Sequence, residues 1–298
     1  MRIVYLGTSA FAAAVLEGLL AAGMAPVLVV TRPDRPRGRG RKLASPPVAE
    51  LARRRELDLL APPDVNAPDA VQAMLESAPE AICVCAFGAM IREPLLSMRP
   101  MLNLHPSLLP RWRGAAPVER AIMAGDAHTG VSIMRVTAGL DSGPVGLSER
   151  VTIEADDTYG TLSGRLQAVG VRLLLRALRE APSFAEQDER LATYAEKIGP
   201  EDRRLDPARE AGALERVVRA LEPHIGARLD RGVHGWLRVR AARAVGEPAP
   251  APGVLEARDG RLLLGCDPGA LELVRVQPAG GQTMSGGDYA RGHGSALG

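Results

Sequence analysis

Aromatic residues are scarce in this chain of 298 residues: three Phe, four Tyr and two Trp make up 3% of it. A core must therefore be built from Leu, Val, Ala and Ile, and the 46% hydrophobic content is ample for one. Lysine is scarcer still. Lys42 and Lys197 are the only two, so positive charge is carried almost wholly by arginine. Three cysteines, Cys83, Cys85 and Cys266, give neither an even disulfide framework nor zinc-ligand spacing. Cys83 and Cys85 lie two apart in an apolar run, on one face of a strand, where free cysteine acts as a small buried hydrophobe. Free thiols fit a reducing compartment. No apolar run approaches ~18 residues, so no membrane-spanning helix is expected. The break at Gly7-Thr8-Ser9 and the charge of Glu17 argue against a cleaved leader. A cytoplasmic location is expected.

What is present suits two modest domains, because single cores stop growing near this length. Buried strands are expected over residues 2–6, 27–30, 81–87 and 101–104, with helices over 11–22 and 48–55 between them. Continuous apolar strands alternating with helices indicate a mostly parallel, Rossmann-like α/β sheet with helices on both faces. In such sheets chemistry gathers beyond the carboxyl ends of the strands. The turn after the first strand, Gly7-Thr8-Ser9-Ala10-Phe11-Ala12, lacks the second and third glycines of a dinucleotide fingerprint, which argues against NAD or a flavin. An antiparallel stretch over 145–153 and a long helix over 158–180 follow. Residues 187–206 are polar and read as a linker. A helix over 211–221 then precedes short strands near 235–242, 253–257, 261–264 and 270–277, separated by Pro/Gly turns, as in a small OB-like β-barrel. The expected division is a catalytic domain over 1–188, a linker over 189–205 and a barrel over 206–298.

The densest segment runs from Asn103 to Pro117, Asn-Leu-His-Pro-Ser-Leu-Leu-Pro-Arg-Trp-Arg-Gly-Ala-Ala-Pro. Alternation at a strand end puts Asn103 and His105 on one side. Amide and imidazole together can donate two hydrogen bonds to a developing oxyanion, each worth about 3–4 kcal/mol when well placed. Histidine also relays protons near neutral pH. Asp141, bracketed by Gly139 and Gly143, can turn a carboxylate toward that imidazole. Taken singly, each residue reads better as a strand terminus or an Asx-turn that satisfies local backbone groups, and only the surrounding segment shifts the balance toward chemistry. The other histidines, His128, His224, His234 and His293, have no metal-ligand spacing, and no metal is expected.

A second concentration lies between Arg32 and Lys42, where six positive side chains meet one carboxylate, Asp34, in a chain whose net charge is only +2. With its Pro and Gly content it reads as an extended loop, either a solvated surface loop or one that follows a phosphate backbone. Arg238, Arg240 and Arg243 suggest a basic face on the C-terminal strands, where a nucleic-acid platform and an ordinary exposed face are equally open.

The Asn103–Pro117 segment, Thr129-Gly130-Val131-Ser132-Ile133-Met134 and Gly139-Leu140-Asp141-Ser142-Gly143 together resemble the folate-dependent formyltransferases. Pro33-Asp34-Arg35-Pro36, Gly38-Arg39-Gly40, Ala192-Thr193-Tyr194-Ala195-Glu196-Lys197 and Leu273–Gly280 extend the resemblance over nearly the whole chain, toward members that act on a charged initiator tRNA. The resemblance implies 10-formyltetrahydrofolate as formyl donor, the α-amino group of methionyl initiator tRNA as acceptor, and neither metal nor NAD. It implies catalytic roles for Asn103, His105 and Asp141. It further implies folate contacts from Phe87, Gly88, Ser107, Leu108, Leu109 and Pro110, and tRNA contacts from Arg37, Arg39, Arg41 and Lys42. The barrel would hold the flank of the tRNA, and the chain is expected to act as a monomer. Two departures stand out: Phe87 where members typically have Tyr, and Leu221-Glu222-Pro223-His224 where many carry Asn-Pro-Trp-Pro. The alternatives are formyl transfer to a nucleotide sugar or glycinamide ribonucleotide, hydrolysis of the formylfolate, and an RNA-binding protein with an inactive folate-like domain.

Overall fold

A computed structural model describes residues 1–37, 42–246 and 248–294. The chain begins β1 (Ile3–Gly7), α1 (Ala10–Ala21), β2 (Leu28–Val30), β3 (Arg35–Arg37), β4 (Lys42–Ala44), α2 (Pro47–Arg54) and β5 (Leu59–Leu60). It continues α3 (Pro68–Glu76), β6 (Ala81–Cys85), α4 (Leu95–Met98), β7 (Met101–His105), β8 (Arg113–Gly114), α5 (Pro117–Ala124), β9 (His128–Arg135) and β10 (Val145–Thr152). Next come α6 (Tyr159–Glu180), β11 (Tyr194–Ala195), α7 (Ala211–Leu221), β12 (Ala227–Asp230), β13 (Trp236–Val245) and β14 (Leu255–Arg258). β15 (Arg261–Gly265), β16 (Ala270–Pro278), β17 (Met284–Ser285) and α8 (Gly286–Gly292) complete it.

Two compact units result. One comprises residues 1–117, 129–151 and 163–195; the other comprises 118–128, 152–162 and 196–298. The first is built on a seven-stranded sheet in the order β10-β9-β7-β6-β1-β2-β5. The pairs from β7 through β5 are parallel, and β9 runs antiparallel to β7. Every residue of β1, β6 and β7 is buried, as expected of apolar runs covered on both faces. The chain leaves β1 toward β2 and β5, then returns to β6 on the other side. The gap between β1 and β6 is therefore the topological switch point, where ligands collect in sheets of this kind. Gly7 is needed there: a Cβ would lie 2.9 Å from Ala12 Cβ and 3.2 Å from the Cys85 carbonyl oxygen. Ser9 caps α1, its hydroxyl accepting from the amide of Ala12 at 3.2 Å.

Two expectations about local structure change. The basic segment is not simply an extended loop, because β3 and β4 pair antiparallel with Arg35 opposite Ala44 and Arg37 opposite Lys42. A hairpin satisfies backbone groups that an extended loop leaves to water. Arg39 and Arg41 lie outside the described residues. Within the stretch expected as a linker, β11 pairs in parallel with β8, Tyr194 opposite Arg113 and Ala195 opposite Gly114, and the first compact unit runs through Ala195.

The second unit carries a six-stranded antiparallel sheet, β12-β13-β16-β15-β14 with β17 on β16. Leu214, Val217, Val218 and Leu221 of α7 join Leu237, Val239, Leu271 and Leu273 in its core. In the stretch that departs from the family pattern, His224 stacks on Tyr159 with ring centroids 3.6 Å apart, and its Nε2 bonds the Glu119 carboxylate at 2.9 Å. Arg238, Arg240 and Arg243 do not present a free basic face. Arg240 bonds Glu222, Arg238 lies 3.8 Å from the same carboxylate, and Arg243 bonds Glu272. Among the described residues no helix is long and apolar enough to cross a membrane.

Candidate active site

β7 delivers Asn103 and His105 to the carboxyl edge of the sheet, and Pro106 ends the strand. Both side chains are buried, at 9% and 4% exposure, where unsatisfied polar atoms are costly. The His105 ring nitrogen Nε2 lies 2.8 Å from the Trp112 carbonyl oxygen. A carbonyl only accepts, so Nε2 carries a hydrogen and donates it. Nδ1 faces Asp141, 3.6 Å from Oδ2, within ion-pair range but beyond a hydrogen bond. Asn103 donates one amide hydrogen to Asp141 Oδ1 at 3.3 Å. The shortest bond to that carboxylate comes from the Gly114 amide, 2.9 Å from Oδ2. Asn103 and His105 of β7 thus converge with the sequence-distant Asp141, and the Trp112 carbonyl holds the far nitrogen of the imidazole.

The backbone around the site is strained. Seven described non-glycine residues have positive φ, and Ala86, Trp112 and Asp141 are among them, at 42°, 63° and 46°. Such residues cost about 1–3 kcal/mol each and persist only where surrounding bonds over-determine them. Around Trp112 those bonds come from the stretch ending in β11. The Trp112 amide donates to Thr193 Oγ1 at 2.9 Å, the Arg113 amide to the Thr193 carbonyl at 2.9 Å, and the Ala115 amide to the Ala195 carbonyl at 2.8 Å. Gly114, at φ 115°, sits so close that a Cβ would come within 2.9 Å of the Ala195 oxygen.

The residues expected to touch folate fall into two groups. Ser107 is fully buried and closes a turn on itself, its hydroxyl donating to the Arg111 carbonyl at 2.6 Å. Ser132 of β9 locks that turn, donating to the Ser107 carbonyl and accepting from the Leu109 amide. Leu108, Leu109 and Pro110 are half-buried, so they form the wall that Ser107 supports. Phe87 and Gly88 instead line a cavity of about 440 Å³ at the switch point, with Thr8, Ser9, Arg32 and Arg35. Thr8 Oγ1 donates to the Phe87 carbonyl and Arg32 Nη1 to the Gly88 carbonyl, fixing the turn after β6. Pro36 and Ala44 of the β3–β4 hairpin also line this cavity, so folate-expected and tRNA-expected segments share one wall. β7 neighbours β6, so the Asn103–His105 end lies one strand away.

The sequence of the formyl transferase family matches residues 1–178, and that of the formyl transferase C-terminal domain matches 197–294. Methionyl-tRNA formyltransferase of Halorhodospira halophila is 42% identical over 299 residues, covering 98% of this chain and 96% of that protein. Among solved structures, HypX from Aquifex aeolicus in complex with tetrahydrofolic acid aligns with a TM-score of 0.66 at 20% identity, covering all of this chain and 47% of that one. Methionyl-tRNA formyltransferase from Clostridium thermocellum aligns with a TM-score of 0.60 at 16% identity, covering 83% of this chain and 94% of that one. These two structural likenesses speak to the fold alone.

Proposed function

The chain belongs to the formyl transferase family, and from that premise we infer that it transfers the formyl group of 10-formyltetrahydrofolate to the α-amino group of methionyl initiator tRNA. That acylation prepares the initiator for translation, which is cytoplasmic work. The observation that carries the mechanism is the convergence of Asn103 and His105 on Asp141, at 3.3 and 3.6 Å.

The methionyl amine attacks the formyl carbon, and negative charge collects on the formyl oxygen. Asn103 spends one amide hydrogen on Asp141 and keeps the second for that oxygen. The bond from the attacking nitrogen forms first, and collapse of the resulting oxyanion re-forms the carbonyl and breaks the bond to the folate nitrogen. One proton leaves the first nitrogen and one reaches the second. His105 Nδ1 and the Asp141 carboxylate, which face each other, move it. Leu108, Leu109 and Pro110 offer the folate an apolar wall, and Phe87 and Gly88 contact it from the switch-point cavity.

Arg37, Arg39, Arg41 and Lys42 attract the phosphates of the acceptor end, and the C-terminal sheet holds the tRNA flank. Support for the latter comes from Arg203, whose guanidinium is pushed below its usual range by burial and then by the neighbouring Arg228 and Arg238. Arg238 is offset by Glu222, so Arg203 and Arg228 are the like charges there that favour a polyanion. Arg228 also lies over the Trp236 ring, 5.2 Å from its centroid.

Incubating the protein with formylfolate and charged initiator tRNA should yield formyl-methionine on alkaline release. No product from competent charged tRNA would overturn the assignment. Tetrahydrofolate released at the same rate without acceptor would indicate hydrolysis instead.

A further inference from the structure

Gln187 lies behind Asp141, and its carboxamide is fully engaged. Oε1 accepts from Arg113 Nε at 3.0 Å and from Arg113 Nη2 at 2.9 Å. Nε2 donates to the main-chain carbonyl of Asp141 at 2.8 Å and to that of Gly143 at 2.7 Å. Both donors and both lone pairs of the amide are therefore used. Arg113 is only 2% exposed, and two more of its N–H groups fork onto Glu189, at 2.8 and 2.7 Å. Nothing in this chain from Arg113 to Gly143 depends on chance surface pairing. The guanidinium orients the amide, and the amide grips the loop.

The loop needs a grip. Asp141 sits at φ 46°, a conformation unfavourable for a residue with a Cβ. If it relaxed, the carboxylate would leave the Gly114 amide and the Asn103 side chain. Two carbonyls two residues apart, captured by one planar amide, hold the backbone of residues 141–143 in that conformation. Composition gave this position no weight, because it lies in the polar stretch expected as a linker.

We propose that Gln187, oriented by Arg113, is a positioning residue for formyl transfer: it holds the Asp141 backbone so that its carboxylate stays between Asn103, Gly114 and His105. The inference rests on the role assigned to Asp141 above. Its mode of action distinguishes it from a general prop, because its effect must pass through one carboxylate.

The test is a double-mutant cycle between Gln187→Glu and Asp141→Asn, read as kcat and KM for both substrates. Glutamate keeps the shape and the Arg113 pairing but replaces the N–H donor with an oxygen that repels both carbonyls. In the parent, Gln187→Glu should lower kcat by roughly 10- to 100-fold, the scale of a small misplacement, and leave both KM values within about threefold. In the Asp141→Asn background the same substitution should change kcat by less than about twofold. Unchanged kcat in the parent, or an equal loss in both backgrounds, would overturn the proposal. Parental turnover in Asp141→Asn alone would instead remove the role of Asp141 on which it rests. If Gln187→Glu lacks a cooperative melting transition, Gln187→Met enters the same cycle with the same expected outcomes.

Discussion

The end of β7 lies one strand from the cavity that the β3–β4 hairpin lines, and the two regions are held in opposite ways. Around Asp141 the partners are far apart in sequence: Gly114 is 27 residues away, Asn103 38, Gln187 46, and Thr193 lies 81 residues from Trp112. The hairpin is held locally. Its strands pair with each other, Asp34 accepts from Ser45 at 3.0 Å, and Arg53 of the adjacent helix reaches Ser45 at 2.6 Å. A two-stranded ribbon this short is marginal by itself. The difference teaches a division of labour. Long-range bonds fix reacting groups to the tolerance chemistry requires, whereas a locally held basic ribbon suffices for attraction to phosphate, which is long-ranged and tolerant of position.

Substitutions in the two regions should therefore fail differently. The largest effect is expected from His105→Ala or Asn103→Ala, each lowering kcat by at least ~100-fold if it removes an oxyanion donor or the proton relay, with little change in KM for tRNA. Steady-state kinetics at saturating tRNA checks this, and a loss confined to KM would dissolve the comparison from the chemical side.

Replacing Arg37, Arg39 and Arg41 together with Ala should produce the reverse. KM for tRNA rises about tenfold or more, kcat and folate affinity stay near the parent, and the salt dependence of tRNA binding weakens by roughly one power of salt for each phosphate no longer neutralised. An unchanged salt slope with a reduced kcat would move the hairpin into the chemical region.

The smallest effect is a pH dependence of stability. Arg113 hydrogen-bonds the Glu189 carboxylate and holds its pKa below the usual range. A carboxyl depressed in the folded state contributes stability that is complete above its unfolded pKa, near 4.3, and lost as pH falls through the lower folded value. Melting curves below pH ~4 should fall more steeply for the parent than for Glu189→Gln, which has no such proton to gain. Parallel curves would mean that the exposed Glu189 end of this pair contributes nothing measurable.

Much of the first region was legible because its residues announce themselves. β1 and β6 are unbroken apolar runs, α1 is an almost wholly apolar stretch closed by Gly23, α6 is long and periodic, and Asn103, His105 and Asp141 sit in distinctive segments. β12, with alternating burial over four residues, was too short to separate from a loop, and α3 offers only Ala70, Val71 and Met74 as its buried side. The positioning bonds left no local trace. Thr193 and Ala195 act largely through main-chain groups, which carry no residue signature, and Gln187 lies in a stretch whose polarity matches that of a linker. The Ala192–Lys197 segment was noticed as a family likeness. Its pairing with β8 became apparent only when strands 81 residues apart were brought side by side.

Single-turnover formyl transfer at saturating charged tRNA compares the two regions most directly, because binding no longer limits the rate. The account predicts that the Arg37/Arg39/Arg41→Ala protein transfers formyl within about twofold of the parent rate, while His105→Ala is slower by at least ~100-fold. Equal slowing of both would contradict it.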